Sequence, residues 1–112
     1  MLLVIASAQS LKVSYRTERQ SEDGLYKIDI RVPRFPEEQP LGALANQEVA
    51  VIVNQFKRNF QEAVEDNRKR NFRTTEPFFL QIRPTISIAR GDLISLYLEI
   101  FLWTGGAHPN TY

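Results

Sequence analysis

The sequence predicts an α+β domain: an antiparallel sheet of two β-hairpins, in ββαββ order, with one long helix packed on one face. Three observations predict it. Two stretches before residue 33 alternate apolar and polar side chains with the period of a strand, and two stretches from residue 80 onward do the same. Between them, apolar residues recur at helical spacing over more than twenty positions.

The first hairpin starts with Leu11, Val13, Tyr15 and Thr17 alternating with Lys12, Ser14, Arg16 and Glu18, which predicts a half-buried strand. Ser21-Glu22-Asp23-Gly24 is a turn cluster. Tyr26, Ile28, Ile30 and Val32 then alternate with Lys27, Asp29 and Arg31, giving the returning strand. Pro33, Pro36 and Pro40 end it, with an extended linker from Arg34 to Gln39.

The helix is expected from Pro40 to Asp66. Proline suits a first helical turn, where the missing N–H has no partner to lose, and Glu37 and Glu38 lie where the helix dipole favours negative charge. Leu41, Ala45, Val49, Ile52, Val53, Phe56, Phe60, Ala63 and Val64 form the apolar stripe that covers the sheet. Gln47, Asn54, Lys57, Arg58, Gln61, Glu62 and Glu65 face away. Arg68-Lys69-Arg70-Asn71-Phe72-Arg73 follows directly. Basic residues there complement the carbonyl end of the helix, a simpler reading than an anion site.

The second hairpin comprises Leu80–Ala89 and Leu93–Trp103, joined by Arg90-Gly91-Asp92. Placing Ala89 opposite Leu93 sets Ile88 against Ile94, Ile86 against Leu96, Ile82 against Ile100 and Leu80 against Leu102. The opposite face then pairs Ser87 with Ser95, Thr85 with Tyr97 and Arg83 with Glu99. A slip of one residue would set this apolar row against a mixed one, so the pattern selects this register and predicts an Arg83–Glu99 cross-strand pair of opposite charge.

Composition removes several function classes. The chain of 112 residues has a formal net charge of +1, without the basic excess of a nucleic-acid binder. It contains no cysteine, which excludes disulfides, thiolate metal sites and a thiol nucleophile. Leu2-Leu3-Val4-Ile5-Ala6 is too short to cross a membrane. Ala6-Ser7-Ala8 has the small-x-small form of a signal-peptidase site. Residues 1–10 are therefore read as a signal-peptide remnant, with a first edge strand as the plainer alternative, and residues 11–112 as one extracytoplasmic domain.

Catalytic chemistry finds little support. His108 is the only histidine, so a metal site would have to rest on carboxylates, and Asp29, Asp92 and Glu99 fall on separate elements. No serine sits in a nucleophile elbow, and Gly105-Gly106 lacks the lysine and following helix of a phosphate loop. No catalytic residue, metal or cofactor is assigned. The candidate binding surface is Phe79, Phe101 and Trp103, on the face opposite the helix, with Gly105, Gly106, His108 and Asn110 from the loop that follows.

The order of elements, the segments Tyr26-Lys27-Ile28-Asp29-Ile30 and Asp92-Leu93-Ile94-Ser95-Leu96, the helix with Asn46, Phe56 and Phe60, and above all Trp103-Thr104-Gly105-Gly106-Ala107-His108-Pro109-Asn110 resemble one family. It is the domain that precedes the catalytic domain of PdaC-type peptidoglycan deacetylases and also occurs in RsiV-type anti-sigma factors. The resemblance runs from Leu11 to the C-terminus. It implies an α+β domain of a bacterial envelope or secreted protein, with a further region continuing after the Gly-Gly-Ala-His motif, so that the present chain reads as truncated. Deacetylation in that family belongs to a separate metal-binding domain and is not carried over.

The leading expectation is a non-catalytic extracytoplasmic module that binds cell-wall glycan or a protein partner. The alternatives are a structural half-domain that docks a missing C-terminal region or dimerises, and a hydrolase or deacetylase using His108.

Overall fold

The computed structural model describes residues 1–2, 9–70, 76–105 and 110–112. In it, β1 (Ser14–Glu22) and β2 (Tyr26–Arg34) form the first hairpin, α1 (Pro40–Arg70) crosses one face, and β3 (Phe78–Ala89) and β4 (Ile94–Trp103) form the second hairpin. A short β5 (Asn110–Thr111), absent from the sequence expectation, adds a fifth strand. The sheet order follows the chain, β1-β2-β3-β4-β5.

The α+β class and the ββαββ order hold, but the sheet is mixed, not antiparallel throughout. β2 and β3 run parallel, with Tyr26 opposite Phe78, Ile28 opposite Leu80 and Ile30 opposite Ile82. The cause is the single helix. Its 31 residues span roughly 46 Å at about 1.5 Å per residue. That carries the chain back along the whole of β2, so the next strand starts at the end where β2 started. Because the strands that the crossover connects, β2 and β3, are the neighbours in the sheet, the two hairpins meet through a parallel pair.

The register of β3 and β4 is the expected one from Phe79 opposite Trp103 to Ile86 opposite Leu96. Beyond it a bulge at Ser87 shifts the pairing, so Ile88 faces Ser95 and Ala89 faces Ile94. Arg90 and Leu93 exchange backbone hydrogen bonds of 2.8 and 3.4 Å, leaving Gly91-Asp92 as a two-residue loop. The extra residue thus sits in the strand and not in the turn, and the register below is unchanged. Ser87 Oγ still reaches Ser95 Oγ at 3.0 Å.

The core lies between α1 and β2–β4. Ile28, Ile30, Phe60, Leu80 and Ile82 are each at most 2% exposed, and Val49, Val53, Val64, Phe78 and Ile100 complete the cluster. Burying a side chain of this size contributes about 1.5–3 kcal/mol. The predicted stripe is right at Val49, Val53, Phe60 and Val64, whereas Ile52 stays 40% exposed. The helix also runs one turn past Asp66, which brings Arg68, Lys69 and Arg70 into it. Arg68 bridges Glu22 and Glu65, and Arg70 bridges Asp66. Asn71, Phe72 and Arg73 fall outside the described residues.

β1 corrects a second expectation. Its register with β2 sets Arg16, Glu18, Gln20 and Glu22 on the helix side and Tyr15, Thr17 and Arg19 on the other. The alternation from Leu11 to Thr17 therefore does not mark a core-facing row. Lys57 of α1 meets Glu18 at 2.8 Å, so this edge of the helix layer is tied by charge. Before β1 the chain lies along the far end of β3: Leu11 N–H donates to Ala89 O and Gly91 N–H to Gln9 O. Gln9 and Ser10 thus pair with the β3–β4 turn.

One polar residue locks the entry to the helix. Asn46 is buried, and its carboxamide accepts from Phe35 N–H and donates to Phe35 O, both at 2.9 Å. It also donates to Glu37 Oε1 at 2.8 Å.

Candidate functional site

The sheet has its helix on one face, and among the described residues no second layer covers the other. On that open face the register sets Phe79 beside Lys27 and Trp103, and Gln81 beside Asp29 and Phe101. Phe79 and Phe101 are half-buried, each presenting part of its ring. Trp103 differs from its two expected companions. It pairs with Phe79 in register, yet at the strand end its indole lies edge-on to Phe78, with centroids 6.1 Å apart and planes at 87°. It packs against the core, so the predicted aromatic trio divides into two rings on the open face and one at the core rim.

Of the loop residues, Gly105 has φ of +99°, a conformation that L side chains rarely adopt and that calls for glycine. Gly106 and His108 lie outside the described residues. Asn110 opens β5 opposite Leu102, and Thr111 faces Phe101. Ile100 and Tyr112 exchange backbone hydrogen bonds of 3.1 and 2.8 Å, and the Tyr112 ring lies 5.4 Å from that of Phe56. Residues 110–112 thus lie antiparallel along the end of β4.

The electrostatic centre of the open face is Asp29. Arg83 Nη2 donates to Asp29 Oδ2 at 2.7 Å, and Arg83 Nη1 donates to the Asp29 and Ile82 carbonyls at 3.3 and 3.1 Å. Arg19 Nε lies 3.5 Å from Asp29 Oδ1. The hydrogen bond from Arg83 outweighs the cost of partial burial and holds the Asp29 carboxyl below its usual pKa. The expected Arg83–Glu99 cross-strand pair is present in the register, but the two side chains form no salt bridge. The parallel strand offers Arg83 a carboxylate that is only 14% exposed, and the guanidinium turns there. Gln81 lies opposite Phe101 through the expected β3–β4 register, whereas Lys27 and Asp29 were missed as members of this surface, because only the β2–β3 pairing brings them beside Phe79 and Gln81.

The described residues do not fit a metal centre: no group of three or more His, Cys, Asp or Glu side chains converges among them. The carboxylates Asp29, Asp92 and Glu99 remain dispersed, with Asp29 committed to arginines and Asp92 bridged to Arg90.

A family model described as deacetylase PdaC matches residues 19–111, most of the chain. The chain belongs to the deacetylase PdaC family. No curated protein matches it. In this PdaC-family domain, the matched span takes in β2, α1, β3 and β4 whole and closes at Thr111 in β5. No helix among the described residues is long and apolar enough to cross a membrane.

Proposed function

We propose that this PdaC-family chain is a non-catalytic, extracytoplasmic module that binds cell-envelope glycan on the open face of its sheet. The observation that supports the reading is the juxtaposition of Phe79 and Phe101 with Gln81, Lys27 and the Arg83–Asp29 pair on the sheet face opposite the helix. Sugar rings carry an apolar C–H face and a rim of hydroxyls. An aromatic ring bordered by a carboxamide, an ammonium and a guanidinium–carboxylate pair offers a contact for each. The Ala6-Ser7-Ala8 pattern supports export. Among the described residues Asp29 is committed to Arg83 and Arg19, and Asp92 to Arg90, which favours binding over turnover.

Co-sedimentation with purified cell-wall sacculi tests this. The chain is expected to pellet with the sacculi, and Phe101→Ala to weaken the association about tenfold, the usual effect of truncating an aromatic anchor. A chain that stays in the supernatant, or a variant that pellets as well as the parent, contradicts the proposal.

A further inference from the structure

The two outer edges of the sheet differ in chemistry. An edge strand exposes N–H and C=O groups that can pair with another chain, and charged side chains are a common protection against it. β1 carries that protection in Arg16, Glu18, Arg19 and Glu22. β4 does not: from Ile94 to Leu98 it reads Ile-Ser-Leu-Tyr-Leu, without a charge. β5 covers only the far end of this edge, opposite Phe101 and Leu102, and Tyr112 exchanges backbone hydrogen bonds with Ile100. That exchange fixes which groups point outward. Strand residues alternate, so Leu98, Leu96 and Ile94 direct their N–H and C=O the same way as Ile100. Leu93, just before them, points inward and bonds Arg90. Among the described residues no strand pairs with the outward groups of Ile94, Leu96 and Leu98. Their side chains lie on the helix side beside Leu41 and Ile52, while Tyr97, 59% exposed, stands on the other face.

We propose that this edge pairs with the same edge of a second copy of the chain, β4 antiparallel to β4 about a two-fold axis at Leu96. The register selects the occupant. The free stretch is bounded by the Gly91-Asp92 turn at one end and by Tyr112 at the other, and its bonding residues Ile94, Leu96 and Leu98 are symmetric about their middle. With Leu96 set against Leu96 of the second copy, Ile94 meets Leu98 and Leu98 meets Ile94. Every outward N–H and C=O of both copies then finds its complement. A slip of two residues one way puts Leu98 opposite the turn of the second copy. The same slip the other way drives Ile94 onto Ile100, whose groups Tyr112 already holds. The symmetric register also opposes no like charges, because Ser95 meets Tyr97 and Glu99 meets Leu93. On the helix side it joins two apolar rows, and on the other face it brings the two Tyr97 rings within diagonal reach. A net charge of +1 leaves little repulsion between the copies. A foreign strand would need this spacing in its own sequence, whereas a second copy has it by identity. Phe79 and Phe101 lie at the other end of the hairpin, so this inference does not rest on glycan binding.

Because the chain has no cysteine, single-cysteine variants report the register. Ser95→Cys in one copy and Tyr97→Cys in the other lie directly opposite, with Cα atoms about 4.5 Å apart, whereas each lies roughly 7–8 Å from its own counterpart, beyond disulfide reach. Under mild oxidation a mixture of the two variants is expected to give the crossed dimer at least about tenfold over the dimer from either variant alone. Sedimentation equilibrium from about 10 µM to 1 mM is expected to show the parent's apparent mass rising from 13.0 kDa toward twice that value, as suits a small interface. Leu96→Pro removes the central donor, an N–H that no strand of its own chain uses, and is expected to remain monomeric with the parent's circular dichroism. Should that variant prove unfolded, the cysteine pair decides alone. A parent that stays monomeric throughout, either cysteine variant linking to itself as readily as to the other, or a folded Leu96→Pro variant that still dimerises would each overturn the proposal.

Discussion

Arg83 Nη2 lies 2.7 Å from Asp29 Oδ2 and joins two strands that no hairpin connects. β2 and β3 are separated in sequence by the whole of α1, and their pairing rests on a short parallel ladder from Tyr26 to Ile30. The ion pair reinforces that ladder on the open face while Ile28, Ile30, Leu80 and Ile82 close it on the helix side.

Replacing Asp29 by Asn is expected to lower stability by about 1 kcal/mol, a charged hydrogen bond discounted for the solvent that reaches Arg83. The pH dependence has a definite sign. A carboxyl whose folded pKa is depressed binds fewer protons than in the unfolded chain, so its stabilisation is complete above the ordinary Asp range. It is lost as pH falls through that range toward the lowered folded value. Denaturant titrations at neutral pH and at successively lower pH should show the parent losing more stability than Asp29→Asn. Parallel curves would mean that the pair contributes nothing.

Asn46 is expected to be the least replaceable polar residue in the domain. Asn46→Ala strands the Phe35 N–H and C=O in a buried position, since both are satisfied by its carboxamide at 2.9 Å. Two unmet backbone groups predict a loss of about 2–4 kcal/mol in chemical denaturation. Asn46→Asp retains the acceptor but sets a carboxylate against Phe35 O and Glu37, so it should not rescue the loss.

Gly42 is buried where the helix passes closest to the linker. A Cβ there would lie 2.7 Å from Pro36 O and 3.1 Å from Phe35 Cβ. Pro36 O is held in a turn by Gln39 N–H, so it cannot give way cheaply. Gly42→Ala should therefore destabilise by about 1–2 kcal/mol, although the same change in an exposed helix gains about 1 kcal/mol. A rise in melting temperature would show that the linker relaxes.

Much of this fold is legible in the sequence because burial imposes period. The alternation at Ile28, Ile30, Leu80, Ile82 and Ile100 marks the core face, and the Val49-Val53-Phe60-Val64 spacing marks the helix. The β3–β4 register follows from apolar rows that match in only one alignment. What stays hidden depends on partners distant in sequence. Arg83 has Glu99 as its local match, and only the parallel neighbour reveals Asp29 as the better acceptor. The polar helix-side row of β1 carries no apolar pattern to read, because Lys57 and Arg68 stabilise it by charge. The bulge at Ser87 and the two-residue loop compensate each other, so neither disturbs the pattern further down the hairpin. The candidate site was half legible. Phe79 and Phe101 announce themselves as aromatics on the wrong side of an amphipathic strand, and Gln81 follows from the same hairpin register, but Lys27 and Asp29 join them only through the sheet order. Trp103 leaves that face at the strand end, where alternation no longer dictates side-chain direction.

The open face of the sheet is proposed to bind envelope glycan. Chemical-shift mapping of the labelled chain with soluble peptidoglycan fragments tests it most directly. The predicted result is a saturable set of shifts confined to Lys27, Phe79, Gln81, Arg83 and Phe101, lost in Phe79→Ala and Phe101→Ala variants that keep the parent fold. Shifts on the α1 face, or none at saturating fragment, would contradict it.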